Sequence, residues 1–220
     1  MTMLQKSSIA SRTYHAEYLG LVPYDLALER QHLLAQARVQ NEIPDTVLLL
    51  QHPHVYTIGR FRGQEDLISL PADVPVFYVG RGGGITYHGP GQLVGYPILD
   101  LKGLRLGVRD YIYALEQVII DLLRDLAIDG QRNLAHPGGV WVGGQRICSI
   151  GIHVSHYVTT HGFALNVDPD LRYFDGINAC GIPGPVMTSI SKLLGVAVNV
   201  SDVIEIWLKR FSDVFGLRRN

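Results

Sequence analysis

Cysteine is scarce in this chain: Cys148 and Cys180 are the two thiols among 220 residues. Two thiols cannot build the disulfide framework of a small secreted domain, and alone they fall short of a zinc site. Charge of one sign is equally wanting. Nineteen lysines and arginines against twenty aspartates and glutamates leave a formal net charge of −1, whereas nucleic-acid binding is driven by an excess of cations that neutralise phosphates. No nucleic-acid partner is expected. No stretch approaches the roughly 18 consecutive apolar residues of a membrane span, so no membrane partner is expected either. The opening MTMLQKSSIASRT carries one lysine with no apolar run behind it and does not read as a secretory signal. The expected location is cytoplasmic, where a reducing environment disfavours a disulfide. Residues 1–12 are expected to be a flexible lead-in to one domain over residues 13–217.

What the chain does contain is an interleaving of strand and helix patterns. Tyr14 to Leu19 reads as a short strand, and Tyr24 to Val39 as a helix with Leu26, Leu33, Leu34 and Ala37 at near-helical spacing. TVLLLQ, Thr46 to Gln51, is a continuous apolar run of strand length, as expected of a central strand buried on both faces. Between Val108 and Leu126 apolar residues recur at steps of three, one and three, which predicts a helix laid on a sheet. GVWVGGQRICSIGIHV reads as two strands joined at Gly143 and Gly144, a pair suited to the positive φ of a tight hairpin. His161 to Val167 reads as a strand and Thr188 to Leu194 as helical. Ser201 is expected to cap a last helix that buries Ile204, Trp207, Leu208 and Phe211. Without strict βαβ repetition, the class is α/β, or α+β, with one large mixed sheet.

Two segments carry chemistry. RGGGITYHGPGQ, Arg81 to Gln92, has six glycines or prolines in twelve residues, with Arg81, Thr86, Tyr87, His88 and Gln92 set among them. Such a run lets backbone approach a ligand closely and presents amide donors in a concavity. It contains no Walker sequence, and its glycine spacing does not fit a dinucleotide-binding turn. INACGIPG, Ile177 to Gly184, sets Cys180 between turn-forming residues, in what reads as a loop leaving a strand.

Taken in order, RGGGITYHGPGQLVGYPILDL, GVWVGGQRICSIGI, HGFALNV and INACGIPGPVMTSI resemble the lipoyl(octanoyl) transferase family, a likeness that runs from about Leu19 to Leu194. The resemblance implies a single-domain fold shared with biotin and lipoate protein ligases. It also implies a reaction: octanoyl held as a thioester on acyl carrier protein passes to a lysine of a lipoyl domain through an acyl-cysteine. The implied acceptors are the lipoyl domains of 2-oxoacid dehydrogenase E2 subunits and the glycine cleavage H protein. No metal and no cofactor are implied, and a monomer is expected. Residue by residue, the resemblance assigns Cys180 as nucleophile. It assigns substrate binding to Arg81, Gly82, Gly83, Gly84, Ile85, Thr86, Tyr87 and His88, to Ser149, Ile150 and Gly151, and to Gly162, Phe163 and Ala164. Burying about seven methylene or methyl groups would contribute up to roughly 5 kcal/mol, so such a pocket would select by depth.

One position departs from the family. Where the family pairs its cysteine with a lysine, this chain has Arg146. A desolvated lysine can lose its proton; a guanidinium stabilises a thiolate but is never a base. An unperturbed thiol is only about 3% ionised at pH 7. The expected division of labour is therefore thiolate stabilisation by Arg146 and proton transfer by His161, His88 or solvent. Strand alternation would set Cys148 beside Arg146 as a rival thiolate. His52 and His54 lack a third metal ligand in the sequence. Arg60, Arg62, Arg105 and Arg109 are candidates for a basic rim that steers an acidic carrier. The alternative activities are an ATP-dependent lipoate or biotin type ligase, an amidotransferase between lipoyl domains, and a diverged protein that docks acyl carriers without turnover.

Overall fold

The computed structural model describes residues 12–61, 66–178 and 186–220. The lead-in up to residue 11, Arg62, and Cys180 with the rest of residues 179–185 lie outside the described residues. The strands are β1 (Thr13–Leu21), β2 (Asp45–Gln51), β3 (Val55–Ile58), β4 (Val76–Tyr78), β5 (Ile85–His88), β6 (Gln92–Ile98), β7 (Gln131–Arg132), β8 (Gly139–Val142), β9 (Gln145–Ser155), β10 (Val158–Asn166) and β11 (Arg218–Arg219). The helices are α1 (Tyr24–Val39), α2 (Leu101–Leu104), α3 (Val108–Asp125), α4 (Ile190–Leu194) and α5 (Val200–Phe215). Eight strands form a mixed sheet in the order β11-β1-β2-β6-β10-β9-β8-β7, and three form a smaller sheet in the order β4-β3-β5. The large mixed sheet is the one the sequence predicts.

Alternation along the strands splits the core into layers. On β2, Val47 and Leu49 face α3 and α5, while Leu48 and Leu50 face α1. This explains the unbroken apolar run: both faces of β2 are covered. Trp207 and Phe211 of α5 stack at 4.8 Å and Trp207 stacks on Phe163 of β10 at 5.0 Å. Each such ring adds about 1.5–3 kcal/mol of hydrophobic burial. The small sheet packs Tyr56, Ile58, Ile85 and Tyr87 against Phe174, in a 3₁₀ turn over Leu171–Phe174, and against Ile177 and Met187. Its opposite face, with Thr57, Thr86 and His88, is polar and buried.

Several local expectations are revised. The last helix begins at Val200 and is capped by Asn199, with Asp202 Oδ2 accepting from the Asn199 amide at 3.0 Å; Ser201 sits inside it. The helix expected from Thr188 starts at Ile190, capped by Ser189. Ile177 and Asn178 follow the 3₁₀ turn rather than a strand. On α1 the face toward the sheet is Tyr24, Ala27, Gln31 and, partly, Leu34, while Leu26 and Leu33 are 54% and 61% exposed. The hairpin turns at Gly143 and Gly144 with φ of 55° and 82°, as the primed turns require.

Candidate active site

A cleft opens where the polar face of the small sheet and the glycine-rich segment lie over β9 and β10, with α1 at one side. Its empty space is about 490 Å³ counted to the mouth. It is lined by residues 81–86 and His88, by 149–151 and by 161–164, together with Tyr24 and Tyr96. Three segments far apart in sequence thus meet around one space. Tyr87 does not line it: alternation on β5 turns its ring into the small-sheet core, where its hydroxyl pairs with His54 Nδ1 at 2.6 Å. Tyr24 and Tyr96 carried no signal in the sequence beyond an ordinary helix start and strand. The glycine segment is pinned to β9 by the Gly82 amide, which donates to Ile152 O at 2.9 Å. A Cβ on Gly151 would stand 3.0 Å from Gly82 O and 3.2 Å from Arg81 Cδ, so at this crossing any larger residue would have to push the glycine-rich segment outward by a few tenths of an ångström.

The cleft contains polar groups held neutral around one cation. Arg81 is buried and donates from Nη2 to Thr57 O at 2.8 Å and to Thr57 Oγ1 at 2.7 Å. Burial, reinforced by Arg81, lowers the pKa of His161 to about 3. Burial also lowers His88 well below the ordinary imidazole range and raises Tyr24 to about 12. His161 has φ of 56°, a left-handed conformation that costs a non-glycine residue about 1–3 kcal/mol. Its amide is held by Gln31 Oε1 of α1 at 2.7 Å. His52, below the cleft, pairs with Tyr96 Oη and with Val22 O at 2.7 Å each. His52 and His54 therefore serve ring and backbone partners, and among the described residues no group of three His, Cys, Asp or Glu is placed to hold a metal ion.

Arg146 and Cys148 do not share a face as expected. The β8–β9 register slips between Val140 opposite Cys148 and Trp141 opposite Arg146, leaving Ile147 as the extra residue of a bulge. Such a bulge re-aims side chains. Ile147 and Cys148 both enter the α3/α5 core, while the Arg146 guanidinium lies 4.7 Å over the Trp141 ring. Burial raises the Cys148 thiol far above its ordinary range, and the Arg146 charge offsets only part of that. Cys148 is a core residue, not a resting thiolate. Arg146 is also the docking point of the chain after the undescribed segment: its amide donates to Val186 O at 2.6 Å and its carbonyl accepts from Thr188 N at 3.0 Å. Of the arginines proposed for a rim, Arg60, Arg105 and Arg109 are exposed.

Comparison with known proteins bears on the same residues. The family model described as lipoyl protein ligase A/B catalytic domain matches residues 23–212. The chain belongs to this family. Among its lipoyl protein ligase A/B relatives is an octanoyltransferase of Caldicellulosiruptor saccharolyticus, 47% identical over 208 residues, which are 91% of this chain and 88% of that protein. The family fold is also seen in the bipartite lipoate protein ligase of Thermoplasma acidophilum, at a TM-score of 0.72 and 14% identity, covering 95% of this chain and 86% of that one. The biotin protein ligase of Aquifex aeolicus is more distant, at 0.54 and 13%, covering 92% and 69%. The fold is thus the lipoate and biotin ligase fold, and the cleft formed by the glycine-rich segment, β9 and β10 lies within the part of the chain that the family model matches.

Proposed function

We propose that this chain is an octanoyltransferase that moves octanoyl from acyl carrier protein to a lysine of a lipoyl domain, through a thioester on Cys180. The observation that carries this reading is the high-coverage likeness to octanoyltransferases, supported by the convergence of all three glycine-bearing stretches on one cleft. In the first half-reaction the Cys180 thiolate attacks the octanoyl thioester carbonyl, and the carrier thiolate leaves and takes a proton. In the second, the acceptor lysine, having lost one proton to solvent, attacks the acyl-cysteine; the nitrogen gives up a further proton and Cys180 departs as thiol. Arg146, whose backbone pairs with Val186 and Thr188, supplies a permanent positive charge that holds the thiolate without exchanging protons. His161, neutral and in the cleft wall, passes the amine proton to the departing sulfur. Its low basicity means that it does not hold the proton it takes.

The deciding experiment is intact-mass analysis of the chain mixed with octanoyl-carrier protein in the absence of ATP, followed by a chase with apo lipoyl domain. An octanoyl adduct that forms, is lost in Cys180→Ala and is removed by the chase supports the reading. No adduct without ATP and Mg²⁺, but transfer of free octanoate with them, would identify a ligase instead.

A further inference from the structure

A single line of hydrogen bonds leaves the cleft and ends at the backbone beside Arg146. Its direction is fixed at both ends by groups that act in one sense only. Thr188 O accepts from Asn166 Nδ2 at 3.0 Å, so Asn166 Oδ1 faces the other way and accepts from Gln92 Nε2 at 3.0 Å. Gln92 Nε2 also donates to Tyr87 O at 3.2 Å, which leaves Gln92 Oε1 to accept from His88 Nδ1 at 3.2 Å. His88 Nε2 is then the lone-pair nitrogen, facing the Thr57 hydroxyl at 3.5 Å. Thr57 in turn accepts from Arg81 at 2.7 Å. Thr57, His88, Gln92, Asn166 and Thr188 are all buried, where a broken link leaves a desolvated polar atom at about 1–3 kcal/mol. No amide can flip without setting two acceptors or two donors against each other.

The line joins β3, β5, β6 and β10 to the chain ahead of α4. Thr188 is gripped on both sides, by Asn166 through its carbonyl and by Arg146 through its amide. We infer that Asn166, braced by Gln92 and His88, is a positioning residue that sets Thr188 against Arg146 and so fixes the chain from Val186 to Thr188 on β9. The inference rests on the reading of Cys180 as nucleophile. Its corollary is that His88 is committed at both nitrogens as a neutral brace and carries no proton in the reaction.

The test is Asn166→Asp. An ionised carboxylate keeps the acceptor toward Gln92 but opposes Thr188 O with a second acceptor; a protonated one donates to Thr188 O and restores the line. The single-turnover rate of octanoylation, followed by intact mass with octanoyl-carrier protein, should fall about 10–100-fold relative to wild type at pH 8. The ratio to wild type should recover as pH falls and the introduced carboxyl protonates, with KM for the carrier unchanged. Gln92→Glu keeps the acceptor toward His88, breaks the next link and should show the same pH-dependent recovery; it replaces the first variant if that one does not fold. A folded variant whose rate ratio stays near one, or stays low and flat with pH, overturns the inference. Persistence of the adduct in Cys180→Ala overturns the underlying reading instead, whatever Asn166 does.

Discussion

Arg146 and Cys148 are two residues apart, and a one-residue bulge gives them opposite surroundings. Cys148→Ala should leave octanoylation intact and cost only about 1 kcal/mol of stability, read from urea unfolding; loss of the adduct in this variant would make Cys148 the nucleophile. Arg146→Lys tests the permanent charge. Wild type has a cation that does not titrate, so a lysine at this buried position should add a titration to the pH profile of acylation, and an unchanged profile would discount the role. His161 supplies a third test. With its pKa lowered to about 3, it is neutral throughout the working range and adds no limb near pH 6–7 to kcat/KM. His161→Asn, whose side chain tolerates left-handed backbone, should keep the melting temperature within a few degrees and slow deacylation by about 10²-fold or more. None of this geometry could be read from RICSIG, because a bulge depends on what the partner strand does. Arg146 and His161 could be singled out by residue type in the sequence, their surroundings could not, and Cys180 lies outside the described residues.

Elements with a period, or with a turn that only glycine allows, were readable: the buried run of β2, the stripe of α3 and the hairpin at Gly143 and Gly144. Helix α1 was readable as a helix but not for its face. Its buried side includes Gln31 because the His161 amide, displaced into an unusual conformation, needs an acceptor from that side. A strained backbone on one element is thus matched by a polar residue on the next, against the hydrophobic pattern. Strand β6 shows the opposite case, a glycine set by packing. A Cβ on Gly95 would lie 2.1 Å from the Phe163 ring. Gly95→Ala should push Phe163 off Trp207 and lower stability by about 1–3 kcal/mol in urea titrations, while Gly143→Asn at the hairpin should be nearly silent.

Across the whole molecule, the buried histidines in and below the cleft make the fold sensitive to acid. His52 has its pKa lowered to about 4 and His161 to about 3, both by burial first. The unfolded chain binds protons at these sites from about pH 6.5 downward while the native one refuses them. Their contribution is complete above about pH 6.5 and is lost progressively as pH falls toward 4 and then 3. The urea midpoint should therefore begin to drop below pH 6.5, well above the range in which carboxylates protonate, and a midpoint flat to pH 5 would contradict the burial of these rings. The same wholeness shows in the sheet edge. Tyr14 of β1 packs on Phe211 at 4.9 Å and bonds Leu208 O at 3.3 Å, and β11 pairs alongside it. During synthesis from the amino end β1 can pair with β2 early, but the helix and strand that cover Tyr14 and complete this side of the sheet emerge some two hundred residues after it, so this part of the core closes last.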